Sequence, residues 1–174
     1  GAAAAAEAPA PAYRAAADPA KRIESLEQKL DQTQFTLDAI MKKVDDILWF
    51  ERVGDVAEVD KVFIPTVPVP KEKPTYGIAN ERHPFRMYAY VFVPKGADRE
   101  KKRPLLLLPH GGVHADFDTY YVHIVRELMA EGYVVVAPEY RGSTGYSKAY
   151  YEAIDYGGKE IDDVVAARDW ALST

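Results

Sequence analysis

Leu105-Leu106-Leu107-Leu108 is an unbroken apolar run held between Pro104 and Pro109. A strand with one face in water alternates apolar and polar residues, so a run without alternation reads as a strand buried on both faces. Such a strand needs one layer packed above it and another below, which directs the chain toward an α/β architecture. The flanks agree. After His110-Gly111-Gly112, Asp118 or Thr119 can cap a helix reaching about Glu131, with Tyr121, Ile124, Val125 and Leu128 on one face and Gly132 closing it. Tyr133 to Ala137 reads as a second buried strand, leading into Tyr140-Arg141-Gly142-Ser143-Thr144-Gly145-Tyr146. A last helix, from about Gly158 to Leu172, carries Ile161, Val164, Val165, Arg168 and Leu172 at helical spacing. Upstream, Val59 to Ile64 and Arg86 to Val93 read as strands, joined by an extended connector with Pro65, Pro68, Pro70 and Pro74. Strands alternating with helices predict a parallel sheet with helices on its faces.

Before this body lies a long helical signal. Asp18-Pro19 supplies a capping carboxylate and a first-turn proline. Ala20 to Val53 contains neither Gly nor Pro, and Gly54 offers a stop. Ile23, Leu26, Leu30, Leu37, Ile40, Val44 and Ile47, with Thr33 filling one slot, alternate by three and four residues. That is the a/d pattern of a coiled coil. Phe35, Met41, Leu48, Trp49 and Phe50 lie off this seam and widen the apolar face. Two readings follow: an oligomerisation arm that makes a homo-oligomer through residues 19–53, or a helix packed along its own domain. Residues 1–18 read as a disordered Ala/Pro-rich tail, 19–54 as the helix and 55–174 as the α/β body.

Composition removes several function classes. The 174 residues carry a formal net charge of −5 and no cysteine. Disulfides, thiolate metal sites and cysteine nucleophiles are therefore excluded, and general nucleic-acid binding is disfavoured. The basic side chains gather in residues 61–103 (10 basic, 4 acidic), read as solvated loop and strand-edge charge. No run approaches membrane-helix length. The Ala-rich start resembles what remains after a signal peptide is removed, so a secreted or periplasmic location is expected.

Leu105 to Gly112 followed by Tyr140-Arg141-Gly142-Ser143-Thr144-Gly145-Tyr146, in this strand-helix-strand order, resembles the hydrolase domain of the prolyl oligopeptidase family of α/β-hydrolases, most of all its acylaminoacyl-peptidase-like members. The stretch Tyr156-Gly157-Gly158 and the Asp162-Asp163 helix after it fit as well. The resemblance covers residues 86–174. It implies the N-terminal half of an α/β-hydrolase sheet, preceded here by the long N-terminal helix rather than by the β-propeller that many members carry. It implies a serine hydrolase acting on a peptide or ester through an acyl-enzyme, with no metal or cofactor; the alternative reading is a non-catalytic oligomerisation or interaction module with a degenerate hydrolase-like half. In the family the serine sits in a Gly-x-Ser-x-Gly elbow, with acid and histidine after it. Ser143, Ser147 and Ser173 do not match that elbow, so none of the triad is expected in this chain and a C-terminal hydrolase half is the expected partner.

What the resemblance assigns to this chain is the oxyanion-hole turn. Gly112 offers the backbone N–H, Gly111 shapes the turn, and Val113, where relatives often have proline, keeps an N–H of its own. His110 is read as a prop for the loop. Tyr140, Arg141 or Tyr146 could line a substrate cleft; on the other reading Gly142 and Gly145 make turns and Arg141 pairs with a carboxylate. His114, Asp116 and Asp118 are read as a surface loop with a helix cap rather than a cation site. His83 and His123 are read as surface or packing residues. A triad of Ser143, His110 and Asp116 has no support in the spacing.

Overall fold

The computed structural model describes residues 18–69, 85–98 and 100–174. The expected tail, His83 and the later prolines of the connector lie outside the described residues. The chain falls into two units, residues 1–33 and 34–174.

Helix α1 spans Pro19–Val53. It opens as the sequence predicts: the Asp18 carboxylate accepts the Ala20 N–H at 3.1 Å, and the Asp18 carbonyl accepts the Arg22 N–H at 3.0 Å. Within residues 18–33 the seam residues Ile23, Leu26 and Leu30 are exposed.

In the larger unit four strands form one mixed sheet: β1 (Ala57–Pro65), β2 (Arg86–Pro94), β3 (Leu105–Leu107) and β4 (Val134–Glu139), in the spatial order β1-β2-β4-β3. β3 and β4 are parallel, joined by a crossover through a short 3₁₀ turn (Thr119–Tyr121) and α2 (Val122–Ala130). β2 is antiparallel to both β1 and β4. The expectation of a parallel sheet therefore holds for one strand pair. No helix connects β1 to β2 among the described residues, and without a crossover helix two neighbouring strands pair antiparallel. α3 (Lys148–Glu152), which the sequence reading missed, and α4 (Lys159–Ser173) complete the unit.

Both faces of the sheet are covered. Val135 and Ala137 of β4 point to one face, with Tyr90 and Phe92 of β2; there they meet Trp49 and Val53 of α1, Phe117, and Val122, Val125 and Met129 of α2. Val136 of β4 points to the other face, with Met87 and Ala89 of β2, against Tyr150 of α3 and Ala167 of α4. This period-two switching explains why β4 shows no polar alternation. The leucines of β3 are only half-buried, because among the described residues β3 has β4 on one side and no strand on the other.

From residue 34 onward α1 packs through a stripe the sequence reading did not separate from the seam. Phe35, Ala39, Lys42, Asp46, Trp49 and Val53 are spaced by four and three residues, and Lys42, Trp49 and Val53 are buried. At 100° per residue this stripe lies on the opposite side of the helix from Leu37, Ile40, Val44 and Ile47, which are all exposed. Phe35 and Trp49 thus do not widen the seam; they belong to a second face. The Trp49 ring stacks on Phe117 at 5.3 Å and meets Phe92 edge-on at 5.0 Å.

Candidate active site

The turn after β3 and the turn after β4 lie side by side, because β3 and β4 are parallel neighbours and both end at the same edge. Open α/β sheets bind ligands at the carboxyl ends of such strands. The first turn holds His110-Gly111-Gly112-Val113, the second Glu139-Tyr140-Arg141-Gly142-Ser143-Thr144-Gly145.

Gly112 has φ +75°, a conformation that side-chain-bearing residues rarely adopt, and Gly111, Gly112 and Val113 are all exposed. Among the described residues no acceptor takes the N–H of Gly112 or Val113, whereas the Gly111 N–H donates to the Tyr121 hydroxyl at 3.3 Å. Two backbone donors of one exposed turn are therefore without an acceptor among the described residues. Tyr140 holds this turn from below: its hydroxyl lies 2.6 Å from the Gly112 carbonyl and 3.1 Å from that of His110, and its ring stacks on the His110 imidazole at 4.3 Å.

His110 is buried. Its Nε2 lies 2.8 Å from Ser143 Oγ and 3.5 Å from Glu139 Oε2. Ser143 Oγ donates to the Tyr140 carbonyl at 2.6 Å, which favours the imidazole nitrogen as donor in the His110–Ser143 bond, whereas Nδ1 lies 3.3 Å from the Gly111 carbonyl, which favours the other tautomer. Burial lowers the His110 pKa, which keeps the ring neutral. The structure thus brings together Ser143 and His110, which the sequence reading kept apart. They do not make a triad. A serine and an acid in that arrangement occupy opposite ring nitrogens, and here both meet Nε2; Ser143 is also 0% exposed. Asp116 pairs elsewhere, accepting from Thr144 Oγ1 at 2.9 Å and from Lys42 at 2.9 Å. His110 is held by Tyr140 and Ser143.

Glu139 and Lys42 are the residues that sequence reasoning missed. Glu139, at the end of β4, is completely buried, and its Oε1 accepts the Phe117 N–H at 3.0 Å and lies 2.8 Å from Lys42 Nζ. Its pKa is raised to about 7; burial raises it and the Lys42 ammonium opposes the shift. Lys42 also donates to the Phe117 carbonyl at 2.6 Å. Burial would lower the Lys42 pKa, but the Glu139 and Asp116 carboxylates outweigh burial and hold it above the ordinary lysine value. A lysine in the middle of a long helix normally points to water, so only its seven-residue spacing from Phe35 and Trp49 could have marked it.

The remaining candidates separate. Arg141 is completely buried on the Asp163 carboxylate, as the second of its two sequence readings has it. Tyr146 stacks on Tyr88 at 4.5 Å. Asp118 caps the 3₁₀ turn by accepting the Tyr120 N–H at 3.0 Å, and His114 stacks on Tyr151 at 3.6 Å while meeting the Gly142 carbonyl at 2.9 Å. Among the described residues no group of three or more His, Cys, Asp or Glu side chains is placed to hold a metal ion.

Residues 119–174 match the prolyl oligopeptidase family. The matched segment is about a third of this chain. The turn after β4 and α4 fall inside the matched segment, and the His110-Gly111-Gly112 turn lies before it, outside the match. The peptidase YuxL of Bacillus subtilis is 42% identical over 85 residues, which are 48% of this chain and 13% of that protein. A dipeptidyl-peptidase 5 of Aspergillus fumigatus is 39% identical over 83 residues, 45% of this chain and 12% of its own. Among solved structures, a puromycin-hydrolyzing peptidase of Mycobacterium tuberculosis superposes with a TM-score of 0.53 at 22% identity, over 67% of this chain and 17% of that one. This chain thus has the fold of the N-terminal part of an α/β-hydrolase sheet and spans about an eighth of the length of the curated relatives it matches.

Proposed function

We propose that this chain is the oxyanion side of a serine hydrolase that cleaves peptides or esters through an acyl-enzyme, with nucleophile, acid and base carried by sequence C-terminal to Thr174. The observation that carries the reading is the pair of N–H groups of the exposed Gly112 and Val113, unclaimed among the described residues, at the carboxyl end of β3. Attack on an acyl carbon places negative charge on its oxygen, and a preorganised N–H donor aimed at that oxygen contributes about 3–4 kcal/mol to the barrier reduction. Gly112 and Val113 are assigned that role, Gly111 shapes the turn, and His110 and Tyr140 hold it. The half-buried leucines of β3 support the presence of a further strand beside it, since an apolar edge strand invites association.

The test is trapping of the complete protein with a fluorophosphonate, followed by peptide mapping. One adduct on a serine beyond residue 174 supports the reading. An adduct on Ser143 or Ser147, or none, removes it.

The helix supports a second role, self-association. From residue 34 onward the body occupies one side of α1, yet the a/d residues on the other side are exposed, so packing within this unit leaves the heptad pattern without a use. The occupant is a second copy in parallel. The g-position column is basic (Arg22, Lys29, Lys43), which repels itself in an antiparallel pair, whereas a parallel pair sets Arg22 against Glu27 of the second copy. Because the sequence has no cysteine, Val44→Cys at an a position reports directly. A disulfide-linked dimer on mild oxidation supports parallel pairing; a monomer by light scattering, or a dimer that does not cross-link, rejects it.

A further inference from the structure

We propose that Lys42 is a positioning residue for the His110-Gly111-Gly112 turn, acting through Glu139 and the Asp116-Phe117 segment. The inference deepens the hydrolase reading and, for its effect on turnover, rests on it.

An ammonium has three N–H groups. Lys42 Nζ has three oxygens around it: Asp116 Oδ2 at 2.9 Å, Glu139 Oε1 at 2.8 Å and the Phe117 carbonyl at 2.6 Å. No donor is left over, and the side chain is buried. The three acceptors come from two segments that bracket the turn. Asp116 and Phe117 lie where the turn runs into α2. Glu139 lies at the end of β4, immediately before Tyr140, whose hydroxyl holds the Gly112 carbonyl. Thr144 adds a second tie, donating its hydroxyl to Asp116 and its N–H to the Ala115 carbonyl at 2.9 Å. Lys42 thus fastens the downstream end of the turn to the strand that supports its upstream end.

The charge matters as well as the contact. Buried carboxylates without a cation take up a proton. Glu139 is faced by Lys42 of α1, by Lys61 of β1, by Tyr90 of β2, by His110 and Asp116 of the turn, and by Tyr140, Tyr146 and Tyr150. Of these, Lys42 is the cation in contact with it. Lys61 is held by both oxygens of Asp46, each at 2.8 Å. Glu139 Oε2 has no hydrogen-bond partner among the described residues, and His110 Nε2 is 3.5 Å away. An ionised Glu139 favours a proton on His110 Nε2, which is the tautomer that donates to Ser143. A protonated Glu139 has an O–H pointed at the same nitrogen, favours the opposite tautomer and removes that bond. Lys42 selects between the two.

The experiment uses the complete protein labelled with ¹⁵N at histidine. In the wild type His110 is expected to be protonated at Nε2 at pH 8, and its ring nitrogens to shift on acidification while the ring itself stays uncharged. Lys42→Met is expected to move that shift upward by at least one pH unit. Lys42→Arg, which keeps the charge, is expected to restore it in part, and in Glu139→Gln the Lys42→Met change is expected to have no further effect on the tautomer. Where p-nitrophenyl butyrate is hydrolysed, Lys42→Met is expected to lower kcat about 10- to 100-fold with KM within about twofold, as for a misplaced catalytic group. If Lys42→Met unfolds the chain, the wild-type titration and Lys42→Arg still decide. Ring nitrogens that ignore both substitutions, or a wild-type His110 protonated at Nδ1, overturn the inference. Failure of the wild type to react with a fluorophosphonate overturns the hydrolase reading instead, and leaves the nitrogen shifts to decide the role of Lys42.

Discussion

Arg141 and Asp163 form a two-pronged pair in which neither side chain reaches water. Arg141 Nε and Nη2 donate to the two oxygens of Asp163, each at 2.8 Å, and the Arg141 backbone N–H donates to the same carboxylate at 2.9 Å. Thr66 adds a hydroxyl at 2.6 Å, and Arg141 Nη2 reaches the Val67 carbonyl at 2.7 Å. The pair ties the loop after β4 to α4 and to the end of β1. Removing one partner strands the other charge in the core, at a cost of about 3–5 kcal/mol. Asp163→Ala and Arg141→Met are each expected to lower unfolding stability by that amount in urea. The double variant is expected to be more stable than their sum predicts. Additive losses would mean that the two side chains act separately.

Glu139 gives stability a pH dependence of definite sign. Its folded-state pKa of about 7 lies above the unfolded value of 4.5, chiefly because it is buried. Between these values the folded chain holds a proton that the unfolded chain releases. The contribution of Glu139 is therefore largest below about pH 4.5, declines as pH rises through about 7, and is flat above. Glu139→Gln is expected to gain stability relative to wild type as pH is raised from 4.5 to 7.5. Parallel wild-type and variant curves across that range would show that Glu139 does not titrate there.

Trp49 anchors α1 on the sheet. It is 0% exposed and touches rings from β2 and from the segment before α2. Trp49→Ala is expected to cost about 3–5 kcal/mol, and Trp49→Phe less. Ile47→Ala, on the exposed face two residues earlier, is expected to change monomer stability by about 0.5 kcal/mol or less. Comparable losses at the two positions, measured by chemical denaturation at low protein concentration, would contradict the two-faced description of the helix.

Two glycines separate conformation from contact. Gly112 and Gly145 have φ of +75° and +85°, and an L side chain at either costs about 1–2 kcal/mol. A Cβ on Gly112 meets only Ala115 Cβ, at 3.6 Å, whereas one on Gly145 would sit 2.7 Å from Lys42 Cβ. Gly145→Ala is therefore expected to destabilise clearly more than Gly112→Ala, and Gly112→Ala to weaken acylation of the complete protein more than it lowers the melting temperature. Equal melting shifts would remove the close approach of Gly145 to α1.

Periodicity and local chemistry were legible in the sequence because they depend on neighbours along the chain. The cap at Asp18, the length of α1, the four strands and the glycine turns follow from spacing and residue type alone, and the two motifs around them point to the family. Strand direction was not legible, since whether β2 runs parallel or antiparallel depends on which strand it lands beside. Nor was the side on which α1 docks. The a/d seam is the stronger pattern, yet the body takes the opposite stripe, because Trp49 fits between Phe92 and Phe117 and Lys42 finds three oxygens there. The same holds for Glu139, Ser143 and Asp163. Each reads as an ordinary polar residue in sequence, and each is buried only because tertiary packing supplies, from distant parts of the chain, the hydrogen bonds that a buried polar group requires.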